Sequence, residues 1–107
     1  MREGKRPFLR EFLLDEVQLL RIAKASADPT RYNILKAIAA QEEVCCGELA
    51  ARFPIKQATV SHHLKVLGDA GLVLTRQQGA HHFFRLSPEA LRAFSDTLNT
   101  QFQKESP

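Results

Sequence analysis

The 107-residue sequence contains no apolar run near the roughly 20 residues that a helix needs to cross a bilayer. Its basic start, residues 1–10, is followed by an apolar stretch that Glu11, Asp15 and Glu16 interrupt, so we expect no signal peptide. Repeats and low-complexity segments are also missing. A hydrophobic fraction of 44% and a charged fraction of 25% are typical of one small globular domain, which at this length is often stabilised by a partner subunit. We therefore expect a single cytoplasmic domain and no membrane partner.

Cysteine is scarce, and its two occurrences, Cys45 and Cys46, are adjacent. Neighbouring residues rarely form a structural disulfide, so the sequence excludes a disulfide framework. A chain of this kind is suited to a reducing compartment.

Acidic residues are nearly absent from one part of the chain. Residues 52–85 contain five bases and one acid, Asp69, whereas residues 11–48 contain seven acids and four bases. A basic stretch of this kind indicates a surface for an anionic partner. On charge alone, a solvated face without a partner is an equal alternative.

Apolar spacing and capping residues predict a mostly α fold with one β-hairpin. Asp28 and Pro29 are a helix start signal, Pro54 ends a short helix, and Gly71 stands where a left-handed C-cap belongs. Ser87 and Pro88 open the last helix. The predicted helices cover about residues 9–26, 29–40, 47–53, 56 or 57 to 70, and 88–102. The predicted strands cover residues 72–76 and 82–86, joined by a turn at 77–80. A short helix, a break at residues 54–56 and a longer helix form a helix-turn-helix, and the hairpin after it forms a wing.

The fourth predicted helix has one buried and one exposed side. Val60, Leu64 and Leu67 follow the i, i+4, i+7 spacing of a buried stripe. At about 100° per residue, His62 falls on the opposite side and His63 at the edge of the stripe. The two histidines therefore point in different directions, which disfavours a shared metal ion, and we expect His63 to be packed and hydrogen-bonded.

The outer side of this helix is polar and free of acids, as a helix inserted in the major groove requires. Gln57 is able to bond adenine, and the small Ala58 allows close approach to a thymine methyl group. Basic side chains nearby are suited to phosphates, and wing tips reach the neighbouring minor groove or backbone. The alternative is an ordinary exposed helix. The candidate DNA contacts are Arg52, Lys56, Gln57, Ala58, Thr59, Ser61, His62, Lys65, Arg76, Gln78, His81 and Arg85.

The segments "ADPTRYNILKAI", "GELAARF", "QATVSHHLKVLGDAGLV" and "TRQQGAHHFFRLSP" resemble the ArsR family of bacterial winged helix-turn-helix repressors. The likeness covers about residues 25–90, and the run from Ser61 to Val73 is specific for that family. The resemblance to this family implies a homodimer that binds a palindromic operator in double-stranded DNA and is released by an inducer, often a soft metal ion. We expect residues 1–107 to form one domain, ordered over about 8–103, whose first and last helices dimerise. The expected interface residues are Leu9, Leu13, Val17, Leu20, Leu91, Phe94, Leu98 and Phe102.

The cysteine pair departs from the family's arsenic-binding pattern. Members that sense arsenic or cadmium often carry Cys-Val-Cys before Asp-Leu, and aligning Glu48-Leu49 with that pair puts Cys45 on the first cysteine and Gly47 on the second. One ligand position is lost. Cys46 then either packs as a small hydrophobic residue or joins Cys45 in a thiol sensor for trivalent arsenic, another soft metal ion or an oxidant.

Other sites are disfavoured. The last helix offers Glu89 and Asp96 but no histidine, so we expect no zinc site there. A metal site at His81 and His82 is also disfavoured, because adjacent residues of a strand point to opposite faces of the sheet. A cysteine–histidine enzyme would lack an orienting third group, so we expect no enzyme. A repressor without a sensor and a protein-interaction scaffold remain alternatives.

Overall fold

The computed structural model describes residues 13–103, which form five helices and a three-stranded antiparallel sheet. In this part of the chain, no helix has both the length and the hydropathy to cross a membrane. The predicted fold class and element order are confirmed, with one short additional strand. In chain order the elements are α1 (Glu16–Ala27), α2 (Pro29–Ala39), β1 (Val44–Cys45), α3 (Cys46–Ala50), α4 (Gln57–Asp69), β2 (Val73–Gln78), β3 (His81–Leu86) and α5 (Pro88–Gln101).

The first helix begins later than predicted. Residues 13–15 are not helical, and residues 9–12 of the predicted helix lie outside the described residues. The Asp15 carboxylate accepts a hydrogen bond from the Gln18 backbone N–H at 2.8 Å, and the Gln18 side chain accepts one from the Asp15 N–H at 3.1 Å. This capping box fixes the start of α1 at Glu16, although the apolar spacing continues upstream.

Three other predicted helix ends are confirmed. The Asp28 carboxylate accepts from the Arg31 N–H at 2.9 Å at the start of α2, and the Ser87 hydroxyl accepts from the Ala90 N–H at 3.2 Å at the start of α5. Gly71 has a φ of 84°, and its N–H donates to the Gly68 carbonyl after the end of α4. Only glycine adopts that backbone conformation without strain, so the chain leaves α4 there and turns into the sheet.

The helix-turn-helix has a shorter first helix and a longer turn than predicted. α3 ends at Ala50 rather than near Phe53, because the N–H groups of Arg52 and Phe53 donate to carbonyls only three residues back. The break before α4 therefore covers residues 51–56 instead of 54–56. The predicted buried stripe of α4 is confirmed: Val60 and Leu67 are fully buried and Leu64 nearly so.

The sheet has the strand order β1-β3-β2, and its strands extend closer to the turn than predicted. β2 and β3 pair along their whole length, so the turn shrinks to Gly79 and Ala80, with Gly79 at a φ of 60°. β1 pairs Val44 with Phe84 and Cys45 with Phe83. It was not predicted, because two residues are too few to show an alternating pattern.

One face of the sheet packs on the helices and the other faces outward. The inner face carries Val44, Val73 and Phe84, which are buried with Ile34, Ile38, Leu49 and Leu72 in one core. The register puts the alternate residues on the opposite side. We call this side the outer sheet face, and it consists of Cys45, Leu74, Arg76, Gln78, His81, Phe83 and Arg85.

His63 joins α4 to the start of α2, as expected for a packed and hydrogen-bonded residue. Its Nδ1 lies 3.4 Å from Nη1 of Arg31, and the Arg31 Nε donates to the Ala25 carbonyl at 2.8 Å. A guanidinium only donates, so Nδ1 of His63 is the acceptor and the ring proton is on Nε2. Burial lowers the pKa of His63 from its ordinary value of 6.5; the Asp28 carboxylate opposes this shift, while Arg31 and His62 add to it.

The lowered pKa of His63 predicts that the folded protein loses stability in mild acid. The unfolded chain binds a proton at His63 at higher pH than the folded chain does, so the stabilisation by neutral His63 is complete above pH 6.5 and is lost as the pH falls below it. The His63→Gln variant keeps an acceptor for Arg31 but does not titrate. Its free energy of unfolding, measured by urea denaturation at fixed protein concentration, should therefore fall less between pH 7 and pH 5 than that of the parent.

The matched control is His62→Gln on the exposed side of the same helix, which should keep most of the parent's pH dependence, because His62 is the smallest contributor to the lowered pKa of His63. An equal loss of stability in His63→Gln and the parent over this pH range would contradict the assignment.

Candidate nucleic-acid interface

The outer side of α4 presents the polar and small residues that the helical wheel predicts. All six candidate positions on this helix are exposed, whereas His63 is half-buried. Asp69, at the last position of α4, is the only acid in the helix. The exposed candidates are Gln57, Ala58, Thr59, Ser61, His62 and Lys65.

The cations around α4 differ in their surroundings. Lys65 lies 3.3 Å from Asp69 and Arg52 lies 3.2 Å from Glu48, each pair one helical turn apart and exposed. Such surface pairs are weak and exchange readily with other anions. Lys56, the residue before α4, is exposed and has no ion-pair partner among the described residues. The three cations therefore remain accessible to an approaching polyanion.

The candidate wing residues all lie on the outer sheet face. Arg76 is opposite Phe83 and Gln78 is opposite His81, next to the turn. Arg85 lies on the same face, opposite Leu74, near the base of the hairpin. His82 is on the inner side, so the two wing histidines point in opposite directions, as predicted.

Arg76 is not a free cation, which sequence reasoning missed. Its Nη2 and Nε donate to the two carboxylate oxygens of Glu43 at 2.7 and 3.0 Å, and its Nη1 donates to the Gln78 side chain at 2.7 Å. The guanidinium also lies over the Phe83 ring, 4.5 Å from its centroid. The hydrogen bonds from Arg76 lower the pKa of Glu43, and the same contact raises that of Arg76, so both groups stay charged near neutral pH.

The two cysteines lie in different environments. Cys45 ends β1 on the outer sheet face opposite Phe83, and Cys46 begins α3. Both are half-buried free thiols. Cys46 packs against the core, and its Sγ lies 3.9 Å from Oγ of Ser61 on α4. Within the described chain, no three His, Cys, Asp or Glu residues are grouped as metal ligands.

An open groove of about 550 Å³ separates α4 from the sheet. Cys46, Ser61 and Lys65 line one side of it, and Thr75 and His82 line the other.

The two helices expected to dimerise expose apolar side chains. On α1, Val17 and Leu20 are 65% and 56% exposed, because Leu19, Ile22 and Ala25 form its buried side. Leu91 is exposed on α5, and Phe102, the residue after this helix, is 78% exposed. Leu13, Phe94 and Leu98 are half-buried, and Leu9 lies outside the described residues. An N–H···O bond of 2.9 Å from Leu14 to the Thr97 hydroxyl joins the segment before α1 to α5.

Comparisons with known proteins agree with this architecture. Residues 27–76 match a family model described as a helix-turn-helix domain. The chain is 37% identical over 89 residues to an arsenical resistance operon repressor of Staphylococcus xylosus, which covers 80% of this chain and 85% of that protein.

Two solved structures superpose on most of the chain. A possible transcriptional regulator for arsenical resistance has a TM-score of 0.67 at 32% identity and covers 86% of this chain and 88% of its own. An ArsR family transcriptional regulator has a TM-score of 0.73 at 28% identity and covers 83% of this chain and 91% of its own. The identity with the staphylococcal repressor over most of both chains, together with the shared fold, shows that this chain belongs to the ArsR family, whose members are transcriptional regulators rather than enzymes.

Proposed function

We propose that the protein is a homodimeric repressor that recognises a palindromic operator with the outer side of α4. The observation that carries this proposal is the division of α4 into two sides. Val60, Leu64 and Leu67 are buried, and the opposite side presents small and polar side chains with no acid before Asp69. A helix anchored in this way is able to approach the base edges of the major groove without repulsion from an acidic side chain.

The exposed residues divide into two proposed roles. Gln57, Ser61 and His62 contact base edges, with Ala58 and Thr59 permitting close approach. Lys56, Arg52 and Lys65 contact phosphates, the latter two by exchanging their exposed acidic partners for DNA. Gln78 and His81 at the wing tip, together with Arg85, reach the neighbouring groove or backbone.

Dimerisation follows from the exposed apolar residues. A monomer in water would expose Val17, Leu20 and Phe102, and a second copy that packs its α1 and α5 regions against them removes this surface from water. We propose that the whole chain forms one domain whose terminal helices serve this interface. The resulting symmetric dimer presents two copies of α4 to successive major grooves. The cytoplasm is the proposed location, because it is the compartment that contains the operator.

A protein-interaction scaffold and an enzyme are less well supported. A scaffold does not require an acid-free helix side beside Lys56, Arg52 and Lys65. The repressor and the scaffold differ in the salt dependence of their binding to the DNA upstream of the protein's own gene. A repressor that contacts phosphates loses affinity steeply as the salt concentration rises, whereas a scaffold shows no such binding.

Substitutions at neighbouring positions should separate base contacts from phosphate contacts. Gln57→Ala should reduce the preference for operator over unrelated duplex by about 1–3 kcal/mol, because a base contact is lost. Lys56→Ala should weaken binding to both duplexes alike and reduce the slope of log K against log salt by about 1. Fluorescence anisotropy with both duplexes measures these quantities. Equal weakening of both duplexes by Gln57→Ala would refute its base-reading role.

We also propose that a thiol-directed species, such as trivalent arsenic, acts as the inducer. Cys45 and Cys46 are the only cysteines of the chain, so such an inducer must act on them. Cys46 is the residue closer to the DNA-contacting machinery, since its Sγ lies 3.9 Å from the Ser61 hydroxyl on the outer side of α4. A ligand held at Cys46 would displace this contact and alter the approach of α4 to DNA.

Arsenite should therefore lower the operator affinity of the parent by about tenfold or more. Cys46→Ser should bind the operator like the parent but lose most of this response, and the Cys45→Ser, Cys46→Ser double variant should lose all of it. The measurement is a gel shift with and without arsenite under reducing conditions. An unchanged response in the double variant would exclude the thiols, and the absence of any response in the parent would favour a repressor without a sensor.

A further inference from the structure

The Glu43–Arg76 contact crosses the whole outer sheet face. Glu43 immediately precedes β1 at one edge of the sheet, and Arg76 lies on β2 at the other edge, with β3 between them. Two strand spacings correspond to roughly 10 Å, so two long side chains are needed to meet across them. Three residues hold the Arg76 guanidinium: Glu43 through the bidentate ion pair, Gln78 through a hydrogen bond and Phe83 through its ring. With Arg76 they make four. We call these four residues the wing clasp.

The wing needs support at this point. β1 pairs only with Phe83 and Phe84, so beyond them the hairpin consists of two strands alone. An isolated two-stranded hairpin is at best marginally stable in water. The clasp holds β2 at Arg76, where the three-stranded part of the sheet ends and the free tip begins. Glu43 precedes Val44 at the base end of β1, so its carboxylate reaches diagonally across β3 to Arg76, at the last level where β1 still pairs through Cys45.

We propose that Glu43 is a positioning residue for DNA binding: through Arg76, it fixes the wing in the orientation that meets DNA beside α4. Arg76 then acts through the fold and not as a phosphate ligand. This inference rests on the proposed DNA-binding function, and it adds a residue that itself has the wrong charge to contact DNA.

The competing interpretation assigns Glu43 the opposite effect. If its carboxylate merely occupied the place of a phosphate on Arg76, its removal would free a cation and strengthen DNA binding. General electrostatics predicts the same direction, because removing an acid makes the protein more attractive to a polyanion. The positioning role predicts the reverse, so the sign of the change distinguishes the two.

The test compares Glu43→Gln with Glu42→Gln. The two variants lose the same charge at adjacent positions, but Glu42 is exposed and takes no part in the clasp. Glu42→Gln should bind operator as well as the parent or better. Glu43→Gln should bind about threefold to tenfold more weakly than Glu42→Gln. Arg76→Gln should show a similar loss, and the double variant Glu43→Gln, Arg76→Gln should be no weaker than either single variant.

A second measurement tests whether the wing clasp stabilises the hairpin in the absence of DNA. Amide hydrogen exchange at residues 77–82 should be faster in Glu43→Gln and Arg76→Gln than in the parent or Glu42→Gln, while the amides of α4 should keep their protection. Binding by Glu43→Gln that equals or exceeds that of Glu42→Gln, additive losses in the double variant, or unchanged exchange in the wing would each overturn the proposal. A parent protein that does not bind DNA would instead refute the proposed function, and the exchange data would still decide whether Glu43 holds the wing.

Discussion

The burial of Val60, Leu64 and Leu67 is the constraint on which the rest of the structure depends. These side chains lie on one side of α4 and pack into a core shared with α2, α3 and the sheet. Because an α-helix has no rotational freedom once one side is buried, Gln57, Ser61 and His62 are directed outward. The outward direction of the side that we propose to bind DNA is therefore a consequence of core packing. His63, at the boundary between the two sides, joins α4 to α2 through Arg31 and fixes the helix further.

The segment from Glu43 to Cys46 contacts both elements that are proposed to meet DNA. Glu43 binds Arg76 on the wing, Cys45 pairs with Phe83 in the sheet, and Cys46 approaches Ser61 on α4. A chemical change at either thiol consequently has a short physical route to the wing or to the helix. This arrangement is the structural basis that we propose for release from DNA without a separate sensor domain. In the positioning role that we propose, the acidic Glu43 supports a surface that is otherwise suited to an anion.

The features that the sequence predicts correctly are those with local causes. The buried side of α4 follows from a spacing within one helix, and the helix ends at Asp28, Gly71 and Ser87 follow from capping chemistry within a few residues. The late start of α1 also has a local signal, the Asp15–Gln18 capping box, but the apolar residues upstream obscured it. The Glu43–Arg76 pair joins residues 33 positions apart, and only the sheet register brings them together. The base and phosphate contacts remain predictions, since they depend on a partner.

The most direct test of the central claim is a hydroxyl-radical footprint of the protein on the DNA upstream of its own gene. If two symmetric copies of α4 enter successive major grooves, two protected stretches should appear on one face of the duplex, about 10 base pairs apart from centre to centre. A single protected stretch, or two stretches on opposite faces of the duplex, would contradict the account.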